Sequence, residues 1–204
     1  MIKPSTVAMD ANACIIHALH LDRVFGKPLH HIDCKFVRSL VEGCACEKIR
    51  VGAFKTAEDE SYRNITRATN QFAEERGVQK KYYPKRKFND EAAANLKKLF
   101  LKLEKFPERF DENDLAAAET FFRSCNKQIP TYTNPQKSSI PGRADLIQFV
   151  SAHNLDPSIV HILSNDAHFI GYSSEIEKSA YTVRVLPVPD LPAMLVDWKW
   201  RINS

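Results

Sequence analysis

Ile159-Val-His-Ile-Leu-Ser-Asn-Asp-Ala-His-Phe169 is the stretch on which the reading of this chain turns. A short, β-branched apolar run that stops at Ser164, Asn165 and Asp166 has the length and flanks of a buried strand whose carboxyl end presents an acid. Open α/β sheets gather ligands and catalytic groups at that end of their strands. The same grammar recurs near the start. Thr6-Val-Ala-Met9 is a second short apolar run, it stops at Asp10-Ala-Asn12, and Ala13–His20 continues with helical character.

Between these two strands the pattern alternates. After a break at Gly26-Lys-Pro28, the segment 31–45 places Ile32, Phe36, Val37, Leu40, Val41 and Cys44 at the three- and four-residue spacing of an amphipathic helix. Ile49–Phe54 reads as a strand, and Thr56 is expected to cap a helix running to about Glu75. Asn89 or Asp90 is expected to cap a helix through Phe106, with Leu96, Leu99, Phe100, Leu103 and Phe106 in a stripe and Pro107 as the stop. A further helix is expected over Asn113–Cys125, then a Pro-, Thr-, Asn- and Ser-rich loop over 129–141. Gly142-Arg-Ala-Asp145 opens a helix to about Asn154 with Leu146, Phe149 and Val150 turned inward, and Tyr181–Leu186 alternates as a last strand. Strands separated by helices at this density imply a layered α/β domain with a mostly parallel sheet.

With 204 residues, 44% of them hydrophobic, the chain can bury one good core and is expected to form a single domain over 1–204. Nothing approaches the ~18 consecutive apolar residues of a membrane span. No apolar region follows Met1-Ile2-Lys3-Pro4, so a non-secreted, cytoplasmic protein without a membrane partner is expected. Five irregularly spaced cysteines fit neither a disulfide framework nor a zinc site and imply free thiols. The net charge of +4 is mild, but Arg76–Lys87 holds six of the 29 basic residues and no acid. Within that run Lys80, Lys81, Lys85, Arg86 and Lys87 suit phosphates, and Tyr82 and Tyr83 suit stacked bases. The plain alternative is a solvated loop.

Asp10, Asp145 and Asp166 all fall at expected strand ends or helix starts. Bare carboxylates brought together repel one another, and a hard divalent cation such as Mg²⁺ or Mn²⁺ is what makes such a cluster tolerable. Any one of these aspartates is an ordinary turn former or helix cap; the combination is what points to a site.

In order along the chain, Asp10-Ala-Asn12 after a strand, Ala144-Asp145 at a helix start and Leu163-Ser-Asn-Asp-Ala-His-Phe169 resemble the elements of PIN-domain nucleases. The resemblance covers the first twenty residues and roughly 142–186. It implies a three-layer α/β/α sandwich, here with residues 55–141 expanding the helical layer. It further implies a Mg²⁺- or Mn²⁺-dependent nuclease, with RNA favoured over DNA as substrate. Asp10, Asp145 and Asp166 take the metal-ligand roles by position, supported by Asn12, Ser164 and Asn165. The family's fourth acid, a Glu in the helix after the second strand, points to Glu60, with Glu58 and Glu42 as alternatives. A divalent ion activates water and clamps the scissile phosphate, so no nucleophilic side chain is assigned.

The resemblance extends to toxins of toxin–antitoxin pairs and to RNA-processing enzymes, so an antitoxin or another protein partner belongs among the expectations. The Leu96–Phe106 stripe is best taken as core packing, although an exposed stripe there could serve a homodimer. A catalytically inactive PIN-like scaffold that binds RNA or protein is the alternative of another class. A flap-endonuclease-like DNA enzyme ranks below the endoribonuclease because its paired Asp-Asp and Asp-x-Asp acids are absent. His168 reads as a partly exposed neighbour of the acid, and His17, His20, His30 and His31 as ordinary helix or surface residues.

Overall fold

The computed structural model describes residues 6–24, 27–30, 33–44, 49–77, 85–127, 129, 140–155 and 158–198. β1 (Thr6–Met9) is buried at all four positions and leads into α1 (Ala11–Ala18). A hairpin of β2 (His20–Val24) and β3 (Lys27–His30) precedes α2 (Cys34–Gly43), β4 (Arg50–Ala53) and α3 (Lys55–Glu75). Next come α4 (Lys85–Lys102), β5 (Glu104–Lys105), α5 (Glu112–Ser124) and α6 (Arg143–His153). The chain closes with β6 (Val160–Ser164), α7 (Ala167–Gly171), α8 (Ser173–Lys178), β7 (Val183–Pro187), a 3₁₀ turn at Val188–Asp190 and α9 (Leu191–Asp197).

Five strands form one wholly parallel sheet in the order β5-β4-β1-β6-β7, and the β2–β3 hairpin stands apart as an antiparallel pair. Because successive residues of a strand face opposite sides, Val7 and Met9 enter one core and Ala8 the other. The first core packs α1, α2, α3, α4 and α9 on one face; the second packs α5, α6, α7 and α8 on the other. The result is the three-layer α/β/α sandwich. The second core is built on aromatic rings: Phe122 meets Phe149 and Tyr172 edge-on, with centroids 5.1 and 5.0 Å apart. No helix among the described residues is long and apolar enough to cross a membrane.

Several local expectations are corrected. The helical character read through His20 stops at Ala18, and Lys27 and Pro28 of the expected break belong to β3, which pairs with a strand that starts at His20. Thr56 does not cap α3. The helix begins at Lys55 after Phe54, and the Thr56 N–H is instead capped at 2.6 Å by the Glu108 carboxylate, from the stretch after β5. The helix expected from Asn89 to Phe106 begins at Lys85 and ends at Lys102. Leu103 turns the chain so that Glu104 and Lys105 pair beside β4, and Phe106 N–H reaches Ala53 O at 3.0 Å. Residues 55–141 therefore carry the edge strand of the sheet as well as helices.

Candidate active site

β1 sends the chain across to β4 and β5 on one side, while its other neighbour β6 continues to β7. The seam between β1 and β6 is where the strand order reverses, and in open α/β sheets that crevice, outside the carboxyl ends, is where ligands bind. Asp10 and the segment Ser164–Asp166 both leave their strands at this seam. The Asp10 N–H donates to Leu163 O at 3.1 Å, which extends the β1–β6 ladder one step beyond the strands.

Asp10 is 3% exposed and caps α1, its Oδ1 accepting from Ala13 N–H at 2.7 Å. Its other oxygen, Oδ2, accepts a short hydrogen bond from Ser164 Oγ, and the same hydroxyl oxygen accepts from Asp166 N–H at 2.9 Å. Ser164 is fully buried, so one hydroxyl ties the two strand-end aspartates together. Asp166 caps α7 through His168 N–H at 2.7 Å, and His168 Nδ1 stands 3.1 Å from the same carboxylate oxygen. Asp145 enters from α6, where its Oδ2 accepts from Gly142 N–H at 2.9 Å.

The charges of these acids act on one another. Burial pushes the Asp10 carboxyl up to about 8, the Ser164 and Ala13 donors oppose the rise, and the charges of Asp166 and Asp145 add to it. Burial, then the charge of Asp166, raises Asp145 to about 6, and Glu60 contributes further. Glu60, half-buried on α3, is raised by burial, relieved by Arg63 and raised again by Asp166. For Asp166, burial is outweighed by the His168 side chain and by backbone donors, which leaves it below the usual carboxylate range. His168 is raised in turn by its contact with Asp166.

Of the three candidates for a fourth acid, Glu60 is the one whose charge reaches Asp145 and that feels Asp166. Glu58 lies 3.8 Å from Lys55, and Glu42 lies 3.7 Å from Arg38 on α2, in the helical layer. Asn12 and Asn165 are exposed at the first turn of α1 and just past β6. Lys80, Lys81, Tyr82 and Tyr83 lie outside the described residues. Lys85, Arg86 and Lys87 form the first turn of α4 rather than a loop, with Arg86 exposed and 3.9 Å from Asp90.

By chemistry the set fits a hard divalent cation: all its donors are carboxylate or hydroxyl oxygens, and Asp10 and Asp145 are both raised by burial and by the charge of Asp166. Its geometry is open. Among the described residues no group of three or more His, Cys, Asp or Glu side chains is placed to hold a metal ion, and the aspartates are turned onto backbone N–H groups. Two features of the site have a signal in the sequence that the motif reading passes over. Arg63 and Arg67, whose positive charges both act on Glu60, follow it at i+3 and i+7 on the same helix face. Compared with protein-family models, with curated proteins and with solved structures, the chain matches none.

Proposed function

We propose that this protein is a PIN-like, Mg²⁺- or Mn²⁺-dependent nuclease that hydrolyses phosphodiester bonds, with single-stranded or structured RNA as its substrate. The observation that supports the reading is the joining of Asp10 and Asp166 through Ser164 at the carboxyl-end crevice of the sheet, with Asp145 and Glu60 in electrostatic reach. Asp10, Asp145, Asp166 and Glu60 would hold the cation. When bound, it would supply an activated water and neutralise charge on the scissile phosphate. Ser164 fixes Asp10 relative to Asp166, and His168 keeps Asp166 ionised. Arg63 and Arg67 on α3 would meet the backbone phosphates of the strand being cut.

Labelled RNA and DNA incubated with Mn²⁺, Mg²⁺ or EDTA test the reading. RNA cleavage that needs the divalent ion and falls on the order of 10²-fold or more in Asp10→Asn and Asp166→Asn is expected. EDTA-resistant cleavage, or activity that survives both substitutions, overturns it. The open geometry of the acids favours one second reading, an inactive scaffold that binds RNA or protein. Metal-independent binding without cleavage in the same experiment supports that one.

A further inference from the structure

At the other end of α1, about 10 Å along the helix axis from Asp10, lies a cavity of about 320 Å³ lined by His17, Arg38, Asn95, Lys98, Leu99, Leu101 and Lys102. That volume lies within the range of small-molecule sites. Three elements build it: α1 contributes His17, α2 contributes Arg38, and α4 contributes the rest. Asn95 ties two of them together, since its Nδ2 donates to Ala18 O at 3.2 Å and to His20 O at 2.7 Å, pinning α4 to the end of α1 and the start of β2.

The charge of this cavity is one-sided. Arg38, Lys98 and Lys102 line it and no acid does. Arg38 faces Glu42 at a loose 3.7 Å, while Lys98 and Lys102, exposed and one turn apart on α4, have no ion-pair partner among the described residues. His17 is 9% exposed, and its Nδ1 is buried without a hydrogen-bond partner among the described residues. Burial, then Arg38 and Lys102, depress His17 to about 3, so the ring is neutral and adds no charge of its own while registering the cations beside it. The wall is apolar: Leu99 is buried, and Leu101 is 79% exposed at the rim of the same helix.

We propose that this cavity binds a phosphate monoester, with the dianionic group between Arg38, Lys98 and Lys102 and an apolar-faced body against Leu99 and Leu101. With Glu42 set loosely against Arg38, the three cations on two helices leave about two positive charges for the ligand, which a dianion answers and a monocarboxylate does not. The guanidinium adds the planar fork that suits phosphate oxygens. Nothing in this assignment depends on the nuclease reading, because the cavity and the acids lie at opposite ends of α1.

Calorimetric titration of the full chain in EDTA tests it, with adenosine monophosphate, inorganic phosphate and adenosine as probes. Saturable binding of adenosine monophosphate is expected, with inorganic phosphate and adenosine each weaker. Equal affinity for inorganic phosphate would assign the site to free phosphate, overturning the role of the Leu wall. The pair Lys98→Ala and Lys102→Ala, both on exposed side chains, is expected to weaken binding by about tenfold or more, the effect of losing charge-assisted contacts. Its thermal midpoint should stay unchanged, and Asp10→Asn should bind as the parent does. No saturable binding, adenosine binding as well as its phosphate, or a double variant that binds normally would each overturn the proposal. Loss of binding in Asp10→Asn alone would place the ligand among the acids instead.

Discussion

Asp10 is held by two hydrogen bonds, and burial, with the charges of Asp166 and Asp145 adding to it, still pushes its carboxyl up to about 8. The folded-state pKa lies above the unfolded one, so this group favours the fold most strongly below about pH 4, and the contribution is lost as pH rises toward 8. In EDTA, Asp10→Asn should therefore unfold at higher urea than the parent at pH 8, by a few kcal/mol, with the difference shrinking toward pH 4. An asparagine variant less stable than the parent at pH 8 would show that the carboxylate is not strained there. Ser164 is the opposite case, a neutral group satisfied on both sides. Ser164→Ala leaves the Asp166 N–H and one oxygen of Asp10 without their partner, which costs about 1–3 kcal/mol. Urea unfolding at pH 7 measures that cost, and a change below about 0.5 kcal/mol, the scale of an ordinary surface substitution, would remove Ser164 from its bridging role.

The elements differ in how far the chain announces them. β1 and β6 are legible because each is an apolar run closed by a polar turn, and the acids stand at those turns. β5 is two residues long and follows α4 after a single bend, so it carries no periodicity at all, and only its neighbours reveal it. The cap of α3 is hidden for a similar reason: Glu108 lies 52 residues from Thr56, and a local signal at Thr56 competes with it. Gly52 records the missing strand indirectly. A Cβ there would stand 2.7 Å from the Phe106 ring, besides meeting the Glu104 backbone, so the glycine is what lets β5 approach β4. Gly52→Ala is expected to destabilise by about 1–3 kcal/mol, the range for overpacking a closed core. Denaturant unfolding measures it, and a neutral result would mean that the edge strand shifts without consequence. The candidate acids are legible to a similar degree. Asp10, Asp145 and Asp166 are visible as turn acids, whereas ranking Glu60 against Glu58 requires knowing which face α3 turns to the sheet, and ranking it against Glu42 requires knowing where α2 packs.

Across the whole molecule, Asp10 and Ser164 are 154 residues apart in the chain and become neighbours only because β1 and β6 pair. The sheet thus assembles acids that the unfolded chain keeps apart, and a cation held by them would bind the folded state and not the unfolded one. Such a ligand stabilises the fold by an amount set by its concentration over its dissociation constant: at a hundredfold excess, about 2.7 kcal/mol. For a chain of this size that corresponds to a rise of roughly 5–10 °C in Tm. Mn²⁺ or Mg²⁺ added to the EDTA-treated protein at pH 7.5, followed by a thermal scan, should give such a rise, and excess EDTA should reverse it. The gain should be largest above pH 7, since the cation competes with protons for Asp10 and Asp145, whose pKa values stand near 8 and 6. Asp10→Asn combined with Asp166→Asn should abolish the response while keeping the sandwich folded, because the asparagine at position 10 replaces a carboxyl whose ionisation burial opposes. A midpoint that ignores the divalent ion, or that rises equally in the double variant, would leave the acids as helix caps and separate them from the chemistry proposed for them.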